Sequence, residues 1–145
     1  MHEFELINKY LSKLSNRSKG SLNLNDDVFF DKTNKLVVSV DTYVEGNHFF
    51  NFKNPDLVIK KIIRSSISDL ICKGVKPKYY FLSGSGSRKV FTKNNLAKIT
   101  KSLKEEQKKY NIILGGGDTV KSNNLSFTIT SIGFANKIIL RNTSK

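Results

Sequence analysis

The sequence predicts an α/β (α+β) domain built on a mixed β-sheet flanked by helices, and three observations predict it. Segments with a helical apolar period alternate with segments of strand period. Two neighbouring strand segments are joined by a short polar turn, so part of the sheet is a hairpin. No internal repeat and no linker divides the 145 residues, a length that suits one compact domain.

Taken in order, Glu3–Leu14 reads as a helix, because Phe4, Ile7, Leu11 and Leu14 fall on one face at three- and four-residue spacing. Turn formers at Asn16–Gly20 end it. Val28-Phe29-Phe30, a polar turn at Asp31–Lys35 and Leu36–Val40 form the hairpin. Asp27 stands at the entry of one arm and Asp41 at the exit of the other, ends that are neighbours in an antiparallel pair. Asn54-Pro55-Asp56 opens a second helix with an N-cap, a first-turn proline and an acidic residue. Leu57, Ile63, Ile67, Leu70 and Ile71 supply its apolar face, and Gly74 and Pro77 stop it. Tyr79–Ser83 is a strand, and Gly84-Ser85-Gly86-Ser87-Arg88-Lys89 reads as a flexible loop without P-loop spacing. Thr92 caps a third helix running through Tyr110, with Leu96, Ile99, Leu103 and Tyr110 facing inward. Ile112–Leu114 reads as a short buried strand followed by a turn at Gly115-Gly116-Gly117-Asp118. Leu125–Phe134, as an edge strand, and Ile138–Leu140 complete the sheet.

With 38% hydrophobic residues the chain can bury a core, and it has no apolar run long enough to cross a bilayer. MHEFELINKY lacks the pattern of a signal peptide, and Cys72 is the single cysteine, so no intrachain disulfide forms and a cytoplasmic setting is expected. The formal net charge is +13. Lysine is spread over nearly every segment with no dense basic block, which ranks general polyanion attraction above a dedicated nucleic-acid function.

The chemistry concentrates in Ser39–Phe49, SVDTYVEGNHF, and in three further aspartates. The stretch reads either as a ligand site at a strand end or as a solvated hairpin end. Asp27, Asp41, Asp69 and Asp118 come from four places, each at an element boundary or near a helix end. Asp69 lies late in its helix, where the dipole disfavours a carboxylate unless a cation is near. Oxygen-rich sites of this kind suit Mg²⁺ sharing its shell with phosphates. Four carboxylates without cations repel, so clustering implies metal. Three glycines beside Asp118 permit close approach of a phosphate to the backbone. No His/Cys spacing fits zinc, and no Ser/His/Asp set exists.

FELI near the start, the paired Asp26-Asp27, SVDTYVEGNHF, SISDL with a following KG, and GGGDT together resemble the N-terminal domain of the thiamine-monophosphate kinases, in order and in spacing. The wider superfamily includes aminoimidazole ribonucleotide synthetase and selenophosphate synthetase, which lack the VEG-x-HF string. The resemblance implies ATP-dependent phosphorylation of thiamine monophosphate to thiamine diphosphate. It implies that Asp27, Ser39, Asp41, Asp69 and Asp118 hold several Mg²⁺ ions, that His48 touches the thiamine phosphate, and that Gly117, Asp118 and Arg141 contact ATP. It assigns no catalytic group beyond the metal ligands, and it implies a homodimer with a barrel-like core. Three departures stand out: Asn23-Leu24-Asn25 replaces Gly-Ile-Gly, Val40 precedes Asp41 without a hydroxyl, and Ser66 replaces asparagine. The family pattern runs on into a second domain past Arg141, so residues 1–145 are expected to be the ATP/Mg-binding domain, binding Mg-ATP weakly and turning over slowly or not at all alone. The rival readings are another ATP-using synthetase of the superfamily and a basic nucleic-acid-binding module.

Overall fold

The structure is a computed structural model that describes residues 2–15, 19–24 and 26–140. Five strands form one mixed sheet in the order β1-β2-β5-β3-β4. They are β1 (Phe29–Asp31), β2 (Leu36–Val44), β3 (Pro77–Gly86), β4 (Ile113–Lys121) and β5 (Ser126–Phe134). Only β3 and β4 run parallel, joined through the helix α3 (Lys93–Tyr110), while β1–β2, β2–β5 and β5–β3 are antiparallel. The other long helix, α2 (Pro55–Ile71), packs with α3 on one face of the sheet. The mixed α+β architecture is therefore the one the pattern predicts.

Period-two alternation sorts the sheet into two faces. Val37, Ser39 and Tyr43 of β2, Phe127, Ile129 and Ser131 of β5, and Tyr80 of β3 are buried under the helices. Ile59, Ile62, Ile63 and Ile67 of α2 fill the layer between. The helical stripe differs from the expected one: Leu57, Ile71 and Leu96 point to solvent. In their place α3 buries Glu106, which accepts from Arg64 Nε at 2.9 Å and Nη2 at 3.0 Å. That fork ties the helices together and supplies the charge partner a buried carboxylate needs. Thr92 caps α3 as expected, accepting from Asn95 N at 3.1 Å, whereas Asn54 makes no side-chain cap.

Several expectations are corrected. Gly84-Ser85-Gly86 is not a loop but the end of β3, paired with β4 throughout and with β5 as far as Ser85. At Gly86 an added methyl would come within 2.9 Å of the Phe91 ring, whereas at Gly84 it would make ordinary 3.4 Å contacts with Phe91 and Phe127. Likewise β4 runs through the glycine triplet instead of ending before it, and it is an exposed edge. β5 is the central strand, not an edge, and Ile138–Leu140 forms no strand; Ile139 N–H instead donates to Lys73 O at 3.1 Å. β2 continues past Asp41 to Val44. The expected first helix is an α-turn, α1 (Glu3–Leu6), followed by π- and 3₁₀-helical turns, with Phe4 and Leu14 exposed. In the substituted Gly-Ile-Gly region the left-handed residues are Leu22 (φ 52°) and Leu24 (φ 56°), and Asn25 lies outside the described residues.

A bulge between Tyr80 and Phe81 lets β4 slide one residue, placing Gly117 directly against β3. A methyl at Gly117 would lie 1.9 Å from the Leu82 carbonyl oxygen, a backbone clash that no rotamer relieves. Gly117→Ala is expected to cost about 1–3 kcal/mol by overpacking. Gly116→Ala, whose methyl would make an ordinary 3.4 Å contact with the Phe81 ring, should cost less. Urea unfolding of both variants checks the ranking.

Candidate functional site

The site is built where α2 crosses β2 and β5. Ser66 of α2 hydrogen-bonds Ser131 of β5 at 2.8 Å, both buried. Ser39 is the direct cross-strand partner of Ser131. Its hydroxyl is 3% exposed as a residue and, among the described residues, is the buried side-chain polar atom left without a hydrogen-bond partner. An unsatisfied buried hydroxyl is costly, and its acceptor capacity is left open.

Asp69 follows Ser66 by one helical turn and reaches Asp41, two residues beyond Ser39 on the same face of β2. Burial, then a side-chain hydrogen bond with Asp41, then the charges of Asp41 and Asp27 push the Asp69 carboxyl up to about 8, while Lys73 pulls it down. A hydrogen bond between two carboxyl groups needs a proton on one of them, and the raised Asp69 carboxyl is the one that keeps it. The β1–β2 ladder begins at Phe29↔Val38, and Asp26 and Asp27 lie just before it, with the charge of Asp27 reaching Asp69. The structure thus joins Asp69 to Asp41, sets Ser39 two residues away on the same strand face, and brings Asp27 near enough for its charge to act on Asp69. Among the described residues, no three His, Cys, Asp or Glu side chains yet close into a finished cage.

His48 stands at the far end of the same stretch. Val44 N–H donates to its Nδ1 at 2.8 Å, so the neutral ring carries its proton on Nε2, and His48 is exposed. Lys61 Nζ holds the His48 carbonyl at 2.8 Å. Tyr43 lies edge-on to the imidazole, 5.6 Å between centroids. Its phenol is pushed up to about 12, chiefly by burial, with hydrogen bonding to Ser65 acting against this and the charges of Asp41 and Asp69 adding to it. Tyr43 therefore spans the ground between the carboxylates and His48. The sequence reading missed it, although its alternation with Ser39 and Asp41 signals the same face.

Asp118 is placed elsewhere. It lies on β4 opposite Ser83, which opposes Thr128, which opposes Thr42. Thr42 and Thr128 share a 3.0 Å hydrogen bond on the open face of the sheet. Asp118 thus lies three strand spacings, about 14 Å, from β2, and on the face away from Ser39 and Asp41. It accepts from Thr119 N at 2.9 Å, and Gly117 precedes it on the tightly packed edge. Arg141 lies outside the described residues.

This fold, with acidic groups and an unpartnered serine under one helix, has known relatives. The chain belongs to the family described as AIR synthase related protein, N-terminal domain, whose model matches residues 25–135. Within it, the chain is similar to thiamine-monophosphate kinase: 33% identical over 141 residues to that of Haemophilus influenzae, and 34% over 143 residues to that of Buchnera aphidicola. Each match covers 94% of this chain but only 42% and 43% of the relative, so the chain spans about two-fifths of their length. In fold it is similar to AaThiL complexed with AMPPCP and TMP, with a TM-score of 0.80 at 24% identity, covering 94% of this chain and 43% of that one. Among the described residues, no helix is long and apolar enough to cross a membrane.

The Asp69 environment carries a sign. Folded Asp69 keeps its proton to about pH 8, whereas an unfolded aspartate releases it near 3.8. Between those values the folded state binds more protons, so stability from this group is full below about pH 4 and is lost as pH rises through about 8. Melting temperatures of the metal-free chain across that window should fall with pH, and Asp69→Asn should flatten that part of the slope.

Proposed function

We propose that this chain is the ATP- and Mg²⁺-binding domain, residues 1–145, of an enzyme that phosphorylates thiamine monophosphate to thiamine diphosphate at the expense of ATP. The carrying observation is the convergence of Asp27, Asp41 and Asp69 beside the unpartnered Ser39 hydroxyl, in a chain whose relatives are thiamine-monophosphate kinases. The residues fit Mg²⁺: hard oxygen donors, too much negative charge for their burial, and a buried hydroxyl lacking a partner. When bound, the metal supplies charge neutralisation between two phosphates and a template for in-line transfer.

The chain's own residues divide the remaining work. Asp27, Ser39, Asp41 and Asp69 hold the metal. The Nε2 proton of His48 donates to the anionic acceptor phosphate and needs no protonation of the ring to do so. That acceptor is already largely ionised, its second pKa being about 6, so no strong base is required. Gly117, Asp118 and Arg141 are the ATP contacts, and the family's second domain, beyond this chain, completes the enclosure. A cytoplasmic setting accompanies this reading.

Calorimetry with ATP tests it. Binding should require Mg²⁺, and Asp41→Asn should weaken it at least about tenfold, the scale seen even for the supporting partners of metal ligands. A coupled assay for thiamine diphosphate should find this chain alone at least about a hundredfold slower than a chain carrying the second domain, the cost of imperfect positioning. Mg²⁺-independent ATP binding would remove the metal reading.

A homodimer through the open face of the sheet belongs to the same proposal. Phe29, Val40, Phe81, Ile113, Val120 and Phe134 are exposed there, with Val40 at 60%. An apolar sheet face of that extent needs a cover. Ultracentrifugation at micromolar concentration should show a dimer, and Val40→Asp should shift it to monomer.

A further inference from the structure

Lys73 stands just past α2 and is 6% exposed, an unusual place for an ammonium. It pairs with Asp26, whose side chain is 5% exposed. Asp26 Oδ1, the oxygen that meets Lys73, also accepts the backbone N–H of Asp27 at 2.8 Å. One carboxylate oxygen therefore ties the end of α2 to the main chain of Asp27. Asp69 lies four residues before Lys73, close enough for the lysine charge to act on it. The Lys73 carbonyl in turn accepts from Ile139 N, so the segment after β5 holds this turn in place. The position also suits a cation, because it takes the negative end of the α2 dipole.

We propose that Lys73 is a built-in cation that positions Asp27, fixing its main chain through Asp26 so that its carboxylate faces Asp41 and Asp69 before any divalent ion is bound. The proposal rests on the cation-site reading of those carboxylates. Like-charge repulsion acts on Asp27, whose neighbour Val28 is buried against Val37, Leu70 and Val75 ahead of the three residue pairs of β1, and the tether adds a charged hold on its main chain. With it, one fixed positive charge sits behind the acidic set while the front stays open for an exchangeable metal. The competing account is that Lys73 merely repels the incoming ion, and it predicts the opposite sign on removal.

The test uses the 145-residue chain, with Mg²⁺ itself as the probe in calorimetry and with backbone NMR relaxation in the absence of metal. Lys73→Met should weaken Mg²⁺ binding about tenfold or more. It should also lower the Asp27 order parameter from about 0.85 towards 0.6 or below, with β5 amides unchanged. The double variant K73M/D26N strands no buried charge, so it keeps the test clear of a folding failure. Residue 26 then loses its anchor on α2, and the double variant should lose no more affinity than K73M alone, as two residues acting as one unit do. Wild-type or tighter Mg²⁺ affinity in both variants, with an ordered Asp27, would overturn the proposal. If the wild-type chain takes up no Mg²⁺, the cation-site reading falls, and the order parameter of Asp27 still decides the tether.

Discussion

The depth at which α2 lies on the sheet is set by two small hydroxyls. Ser66 and Ser131 meet at 2.8 Å, a contact that larger side chains would prop open. The isoleucines on either side, Ile62, Ile63, Ile67 and Ile59, then pack against Phe127 and Ile129 in the space that this close approach leaves. Asp69 follows one turn later, and its height above β2 is a consequence of the same contact. Were the helix further from the sheet, Asp69 would be solvated and Asp41 would have no neighbour. The acidic pair is therefore a product of close packing more than of any local acidic motif, which is why burial heads the causes of the Asp69 shift.

Much of this was legible in the residues. The alternation of Val37 and Ser39 with Leu36, Val38 and Val40 announces a strand, although not its run through Asp41 to Val44. The period of α2 and the Thr92 cap announce the helices, and the aspartates stand out by position. What escaped the sequence lies in the strand assignments around glycine. Gly84, Gly86 and Gly115–Gly117 look like turn residues, because glycine is usually read as conformational freedom. Here they are strand residues, and at Gly86, Gly115 and Gly117 a side chain would run into the Phe91 ring, the Phe81 ring and the Leu82 carbonyl oxygen. The same error placed Asp118 in a turn. Its face depends on a one-residue bulge in β4, and no single-sequence pattern reveals a bulge.

The Asp26–Lys73 pair was hidden for another reason. Asp26 reads as half of a duplicated acid, and Lys73 as one of many lysines in a chain of net charge +13. In such a composition the lysine that is buried cannot be told from those that are solvated. Only its place at the end of α2, sealed by the Ile139 segment, separates it from the rest.

The carboxylates do not share one mechanical fate. Asp41 sits on a strand paired along its whole length with the central β5, and Asp69 on the longest-buried helix. Asp27 precedes a three-residue strand at the outer margin of the sheet. Besides that short ladder it is held by Val28, buried against Val37, Leu70 and Val75, and by the Asp26–Lys73 pair. The acidic set thus joins two arms, one carried by the paired strand and the long helix, the other by one buried valine and one buried ion pair. Loss of Val28 or of Lys73 would therefore disturb the Asp27 arm and leave the Asp41 and Asp69 arm standing.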